Sequence, residues 1–233
     1  MYYRCILIFA CLIFVNACID KRKNDSDTQL YTFLKDIPLD RQGRQIRAYE
    51  FKNMVAEKLS LELLENGFDS QQIRIWFSPV FIDSIKLVSI INTHGKWIGY
   101  ISNYKIHCNM NRESIDSISG IKSQRDPKSG WQRFFIDLIS LDFMTLPDVD
   151  RINQQTFAFD VGGVAVEIST KSMYRFYHYL TPSIYPESLI QAKKMERILK
   201  LVEHEFDFKW QINSGEDNSE KNIITTQLKH TVF

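Results

Sequence analysis

Histidines and carboxylates are the residues whose type and spacing could form a metal site or an acid–base pair. None of the five histidines is paired at a metal-ligand spacing; they stand at positions 94, 107, 178, 204 and 230. His204 and Glu205 would begin a zinc-binding helix motif only if a second histidine stood at position 208, which is Phe208. Asp148 and Asp150 offer too few oxygens for a calcium loop, and such aspartates commonly cap turns. We therefore predict no metal ligands and a capping role for this aspartate pair.

A nucleophile for covalent catalysis is equally hard to find. No serine lies in the glycine-flanked turn between a strand and a helix that serine esterases use. Gly162 and Gly163 fall inside a predicted hairpin, where they make a turn rather than a phosphate loop. Cys108 has neither a helix start nor a clear base beside it, so we expect an inert small side chain. The sequence predicts no catalytic residue and no cofactor, although a carboxylate pair brought together by the fold would support an alternative role as a hydrolase.

Tyrosines and charged residues alternate along the last predicted hairpin. Arg175, Tyr177 and Tyr179 occupy one face of its second strand. If the turn has three residues, Glu167 lies opposite Arg175 on the same face. Rigid amphipathic rings beside a charged pair can hold a sugar, a peptide or a partner protein. We expect either such a binding face or the ordinary solvent side of a sheet whose β positions are filled by tyrosine.

Cys18 has the clearest chemical role, because it ends a segment with the layout of a secretory leader. A short positive start containing Arg4 precedes an apolar run from Cys5 to Val15. The sequence Val15-Asn16-Ala17-Cys18 resembles the lipobox of bacterial lipoproteins, in which an aliphatic residue and two mostly small residues precede the cysteine. The resemblance implies that residues 1–17 are removed as a signal peptide and that Cys18 receives diacylglycerol.

Three alternatives to this lipidation site remain open. Asn16 departs from the small residues usual in the lipobox, and Val15-Asn16-Ala17 would also serve as an ordinary secretory cleavage site. A second match, Ile8-Phe9-Ala10-Cys11, leaves only about six apolar residues before its cysteine. An uncleaved anchor would need about 20 apolar residues, and Asn16 interrupts the shorter run that ends at Ile19.

Lipidation would place the protein at a membrane of the bacterial cell envelope. The resemblance implies two or three acyl chains on Cys18, and two are enough for nearly permanent anchoring. Residues 18–30 are polar and of mixed charge, so we predict a flexible tether, whose Lys21-Arg22-Lys23 cluster either contacts anionic headgroups or is simply solvated. Residue 19 is Ile19 rather than the aspartate that retains some lipoproteins at the inner membrane, so the outer membrane is the expected location.

The charge balance argues against a nucleic-acid partner. The full chain has 29 basic and 28 acidic residues, and loss of the leader removes only Arg4, which leaves a neutral protein. After that loss the thiols are Cys18 and Cys108, and lipidation of the first leaves the second without a disulfide partner. The expected partners are therefore the membrane, through acyl chains, and a protein or a glycan.

Hydrophobic periodicity predicts one domain over residues 31–210, followed by a mobile polar tail over residues 211–233. Apolar residues recur at helical spacing from Ala48 to Asn66, and Gly67 would cap that helix. Two further helices are expected, from Trp131 to Leu141 and from Pro186 to Phe206. The stretch from Asn109 to Gly130 is polar and predicts a long loop that binds a partner or is mobile.

Six segments have the alternation of strands, in two groups of three; they are 73–77, 85–92, 97–107, the region near 157–159, 164–168 and 174–179. A helix precedes, separates and follows the two groups. Such clusters are typical of antiparallel meanders in an α+β fold. We expect an antiparallel sheet of about six strands, with the three main helices on one face.

Overall fold

Seven strands and four helices make up the part of the chain that the structure describes. This computed structural model describes residues 32–40, 42–78, 83–109, 114–152, 162–181 and 184–210. The strands are β1 (Leu34–Asp36), β2 (Gln71–Ser78), β3 (Ser84–Thr93), β4 (Lys96–Cys108), β5 (Ile115–Gln124), β6 (Gly163–Thr170) and β7 (Met173–Leu180). The helices are α1 (Arg47–Lys58), α2 (Trp131–Ser140), α3 (Val149–Ile152) and α4 (Ile190–Glu205). Within these residues, no helix is both long and apolar enough to cross a bilayer.

One mixed sheet contains all seven strands, in the order β1-β7-β6-β2-β3-β4-β5. Strand β1 runs parallel to β7, and every other neighbouring pair is antiparallel. The two predicted groups of strands join where β2 pairs with β6. The α+β class is therefore confirmed. The predicted strand near residues 157–159 lies outside the described residues.

Helices cover both faces of the sheet, so the expectation of helices on one face is wrong. On the α1 face, Trp76 and Phe176 pack with Val55 of α1 in one hydrophobic core. On the opposite face, called the α2/α4 face, side chains of β2, β6 and β7 pack with Phe134 of α2 and Met195 of α4. Because side chains alternate along a strand, each strand contributes to both cores.

Helix α1 ends at Lys58, eight residues before the predicted end. Ser60 adopts a left-handed conformation with φ of 52°. The N–H of Ser60 donates to the carbonyl of Glu57, and the N–H of Leu61 donates to that of Ala56. These two bonds form the Schellman motif that closes many helices. The helical spacing of apolar residues continues past Ser60 because Leu64 is also buried, although it belongs to a separate 3-10 turn, Leu64–Asn66.

The two hairpins differ in how well the sequence predicted them. The hairpin of β3 and β4 is confirmed, and its turn uses His94 and Gly95 at positive φ, as a tight turn of this type requires. In the hairpin of β6 and β7, Ser169 pairs with Tyr174 around a two-residue turn. The expected three-residue turn is wrong, and every cross-strand pair on this hairpin changes with it.

Strand β5 replaces much of the loop predicted over residues 109–130, so that prediction is wrong. Residues of β5 pair with β4 from Tyr100 to Cys108, with a register irregularity beside His107. Most β5 side chains are exposed because the strand forms an edge of the sheet. A polar edge strand lacks the alternation of apolar residues by which strands are recognised.

The remaining helices follow the prediction more closely. Helix α2 begins at Trp131 as expected and ends at Ser140, one residue before the predicted end. Helix α4 begins at Ile190, four residues after the predicted start at Pro186, because the carbonyl of Pro186 first accepts the N–H of Leu189 in a turn. The predicted leader, tether and polar tail lie outside the described residues and stay predictions.

Candidate functional site

A cleft of about 860 Å³ lies between helix α1 and the α1 face of the sheet. We call it the α1 cleft. Phe51 and Met54 contribute from the helix, and Trp76, Ala165 and Leu180 contribute from β2, β6 and β7. Polar residues are fewer and include Lys52, Asp150 and His178. An apolar concavity with a few converging polar groups is the usual form of a small-molecule site.

Glu167 organises a buried polar cluster beside the cleft. Its Oε1 accepts hydrogen bonds from Nζ of Lys52 at 2.9 Å and from the hydroxyl of Tyr174 at 3.0 Å. Its Oε2 accepts from Nε1 of Trp76 at 2.6 Å. Arg74 pairs with Glu167 across the strands and donates to the carbonyl of Glu62. We call Glu167, Lys52, Trp76, Tyr174 and Arg74 the Glu167 cluster.

Burial changes the protonation behaviour of the two cations in this cluster. Desolvation lowers the pKa of Lys52 from its usual 10.5, the charge and hydrogen bond of Glu167 oppose this effect, and the charge of Arg74 adds to it. Desolvation also lowers the pKa of Arg74, again against the attraction of Glu167. Glu167 therefore stabilises the charged forms of both cations against the cost of burial, and the charge of Glu62 adds to this effect at Arg74. Shifted ionisable groups in a cleft are candidate functional residues.

A second polar group, the Asp148 cluster, consists of Asp148, Asp150 and His178. Nδ1 of His178 lies 2.8 Å from Oδ2 of Asp148, which also accepts the backbone N–H of His178. Oδ1 of Asp148 accepts the backbone N–H of Asp150 at 2.9 Å. The predicted capping role of Asp148 is thus confirmed. Nε2 of His178 lies 3.9 Å from a carboxylate oxygen of Asp150.

The Asp148 cluster favours a protonated imidazole. Burial by itself would lower the pKa of His178, but the hydrogen bond and charge of Asp148, with the charge of Asp150, outweigh it and raise the pKa above 6.5. A histidine oriented by a buried carboxylate can donate or accept a proton through its other nitrogen.

The same three side chains bring possible metal ligands within 4.8 Å of one another. A divalent cation there would compete with the backbone N–H groups of Asp150 and His178, which already bond to Asp148. Metal ligation would also sacrifice the charge-assisted contact between Asp148 and His178. The geometry therefore favours a proton-transfer or structural role over a metal site.

The predicted tyrosine face is not an exposed binding face. Tyr177 and Tyr179 are fully buried on the α2/α4 face, where their hydroxyls donate to the carbonyls of Phe143 and Pro147. Arg175 is 9% exposed and donates to the carbonyls of Met144 and Leu146. These residues fix the segment between α2 and α3, and the binding prediction for this face is wrong.

Glu167 lies on the other side of the sheet from Arg175, Tyr177 and Tyr179. The two-residue turn pairs it with Phe176, and Arg175 pairs with Ile168 instead. The predicted contact of Glu167 with Arg175 is therefore wrong. Arg175 instead forms an ion pair with Asp36 of β1 at 2.9 Å.

Prediction from the sequence did not identify the residues that the fold brings to the α1 cleft. Lys52, Trp76 and His178 are far apart in the chain and carry no shared motif. Two signals were available in the sequence: Lys52 lies on the apolar stripe of α1, and Glu167 lies inside an apolar strand. A buried charge usually needs a partner, so each of these residues indicates a buried polar contact. Among the other predicted positions, Glu205 accepts the backbone N–H of Ser129, and Cys18 lies outside the described residues.

Comparison of the chain with family models, curated proteins and solved structures finds no match. Function therefore has to be inferred from the geometry and chemistry of the chain itself.

Proposed function

We propose that this protein is a noncatalytic, lipid-anchored component of the bacterial cell envelope that binds a small, largely apolar molecule in the α1 cleft. The single observation that carries the binding role is the shape and lining of this cleft. Known ligand sites have volumes of about 300–1,000 Å³ and mostly apolar walls. The α1 cleft, with about 860 Å³ between Phe51, Met54 and Trp76, has both properties.

The polar groups of the cleft support an amphipathic ligand. Lys52 of the Glu167 cluster and His178 of the Asp148 cluster both contribute to the lining. Glu167 stabilises the cation of Lys52 at one end of the lining. At the other end, Asp148 and Asp150 raise the pKa of His178 and balance its positive charge. An amphipathic ligand, with an apolar body and a polar group placed at Lys52, would match this lining.

The anchoring part of the proposal rests on the sequence Val15-Asn16-Ala17-Cys18. Replacement of Cys18 by alanine should move the protein from the detergent phase to the aqueous phase after detergent partitioning, because the acyl chains would be lost. Cys108→Ala is the matched control and should leave partitioning unchanged. An unmodified amino terminus in mass spectra of the native protein would contradict anchoring through Cys18.

The binding part can be tested without knowing the ligand. We expect native mass spectrometry of the full chain, purified from its own membrane in a neutral detergent, to detect a bound small molecule. Ala165 lies on the floor of the α1 cleft and is 9% exposed. An indole ring at this position should fill the cleft, so Ala165→Trp should abolish the additional mass. Ala48→Trp, which fills the cleft from the helix side, should have the same effect.

The control for an added ring is Ile136→Trp, at a half-exposed position on α2. This variant should retain the ligand. Circular dichroism melting would establish that each variant is folded. Retention of the bound mass by both cleft-filling variants, or its absence from the native protein, would contradict the proposed site.

Hydrolysis is a second candidate function, because the Asp148 cluster places an oriented histidine at the wall of the same cleft. In this case the neutral form of His178, populated above its raised pKa, would remove a proton through Nε2 from a water molecule that attacks an acyl ester, and would return this proton to the alcohol that leaves. His178→Asn would then lower the turnover of a short-chain p-nitrophenyl ester by at least about 100-fold. Equal turnover by the native protein and this variant would exclude hydrolysis through His178.

A further inference from the structure

A second groove, of about 660 Å³, lies at the edge of the sheet formed by β5. We call it the β5 groove. Its walls come from four strands and from the segment after α4; they include Phe77, Lys86, Asn103, Lys105, Ile121 and Trp210. Ile121 is 74% exposed, although it is a large apolar residue. Phe77 and Ile121 belong to the α2/α4 face, whereas the α1 cleft opens on the opposite face.

Positive charge is concentrated at the β5 groove. Lys86, Lys105 and Lys209 line it, and no aspartate or glutamate among the described residues does so. Glu203 lies just outside this lining, where it accepts the backbone N–H of Trp210 and its charge acts on Lys86. The whole chain has a formal net charge of only +1, so this concentration is a local property. A concave surface lined by one sign of charge focuses the electrostatic potential and attracts ligands of the opposite sign.

The aromatic side of the β5 groove is rigid. The ring of Trp210 packs edge-on against Phe77 at 5.5 Å between centroids. Lys86 is fixed beside it, because its Nζ donates to the carbonyl of Lys209 and lies 4.6 Å from the centre of the Phe208 ring. Lys105 and Lys209 remain exposed. The groove thus has a fixed apolar wall and two exposed cationic side chains.

Trp210 also contributes a hydrogen-bond donor in need of an acceptor. Its indole N–H is buried and finds no acceptor among the described residues. A buried donor without a partner is unfavourable, and a small rotation of the indole that brings this N–H to a ligand oxygen in the groove would remove that cost. The hydroxyls of Ser84 and Ser119 and the amide of Asn103 add neutral hydrogen-bonding groups.

We propose that the β5 groove binds an acidic glycan, with carboxylate groups at Lys105 and Lys209 and a sugar ring against Trp210. Aromatic rings with a polar edge suit a ligand that has both an apolar face and oxygen atoms. Carboxylates form strong charge-assisted hydrogen bonds with lysine. A nucleic acid fits less well, because its backbone would need a longer track of positive charge than three lysines provide.

The test uses the full chain in a neutral detergent, titrated with oligogalacturonate by calorimetry at low salt. The double variant Lys105→Glu with Lys209→Glu should bind at least about tenfold more weakly, because two charge-assisted contacts are replaced by repulsion. Trp210→Phe, which keeps a ring but removes the N–H, should also weaken binding. The matched control is the double variant Lys58→Glu with Lys96→Glu, at exposed positions outside the groove, which changes the net charge equally and should bind like the native protein.

Binding should weaken as salt is added, because exposed charges are screened. Equal affinity of the native protein and the double variant would overturn the proposal, and so would the absence of binding to oligogalacturonate at low salt. Tighter binding to single-stranded DNA or to anionic lipid vesicles would also overturn it and assign the groove to those ligands. Filling the α1 cleft with Ala165→Trp should leave glycan binding unchanged, which separates this site from the proposed ligand cleft.

Discussion

Glu167 accepts hydrogen bonds from three buried side chains and compensates the positive charge at the α1 cleft. Lys52 and Arg74 are both buried near it. Glu167→Gln keeps the shape and most of the hydrogen bonds but removes the carboxylate whose charge stabilises both cations. Removal of one partner of a buried ion pair typically costs about 3–5 kcal/mol. We expect the free energy of unfolding in urea to fall by about this amount.

The control for Glu167→Gln is the same substitution at Glu187. Glu187 pairs with Lys193 at an exposed position, where such pairs contribute little. Glu187→Gln should therefore leave the unfolding free energy unchanged within error. Equal effects of the two substitutions would contradict the role assigned to Glu167.

His178 should make stability depend on pH. Its pKa is raised in the folded protein, so protonation favours folding. The resulting stabilisation is fully present below about pH 6.5, the pKa of a histidine in the unfolded chain. It is lost as the pH rises through the higher pKa that His178 has in the folded protein. We expect the melting temperature to fall as the pH increases above 6.5.

His178→Asn separates this titration from other pH effects, because asparagine can still donate toward Asp148 but does not titrate in this range. The variant should have a flatter dependence of melting temperature on pH than the native protein. The same slope in both proteins would show that His178 does not carry the effect.

The tyrosine prediction failed at the level of single residues for a definable reason. Alternation placed Arg175, Tyr177 and Tyr179 correctly on one face, but alternation does not reveal whether a helix covers that face. The placement of Glu167 depended on the length of a turn, and one residue fewer in the turn moved it to the opposite face. The meeting of Lys52 and His178 at one cleft could not have been predicted, because only long-range contacts bring them together.

At the level of secondary-structure elements, the end of α1 depends on Ser60. Its φ of 52° lies in the left-handed region, which glycine adopts without steric cost. Ser60→Gly should therefore raise the free energy of unfolding by about 0.5–1 kcal/mol. Urea denaturation would measure the change. A lower stability for Ser60→Gly than for Ser60→Ala would contradict this account of the helix end.

The elements with an apolar stripe were predicted well, and the others were not. Helix α2 and the hairpin of β3 and β4 combine clear periodicity with a recognisable start or turn. Strand β5 is exposed along most of its length, so its sequence lacks the period that burial imposes. Strand β1 has three residues and is held by a parallel pairing with β7, which no local pattern indicates.

At the level of the whole molecule, two concave sites lie on different parts of the sheet and share only Ile85 among their described lining residues. The α1 cleft is mostly apolar and opens on the α1 face, whereas the β5 groove is lined by lysines and lies at one edge of the sheet. The α+β class followed from the grouping of strands between helices. The existence of both sites depends on helices packing on two faces, and that arrangement could not be deduced from periodicity.

The most direct test of the central claim is a crystal structure of the full chain purified from its own membrane. Our account predicts density for a small molecule in the α1 cleft, with its apolar part against Trp76 and Ala165 and its polar end near Lys52 or His178. A cleft that contains only water would contradict the proposed binding function, whether or not a ligand occupies the β5 groove.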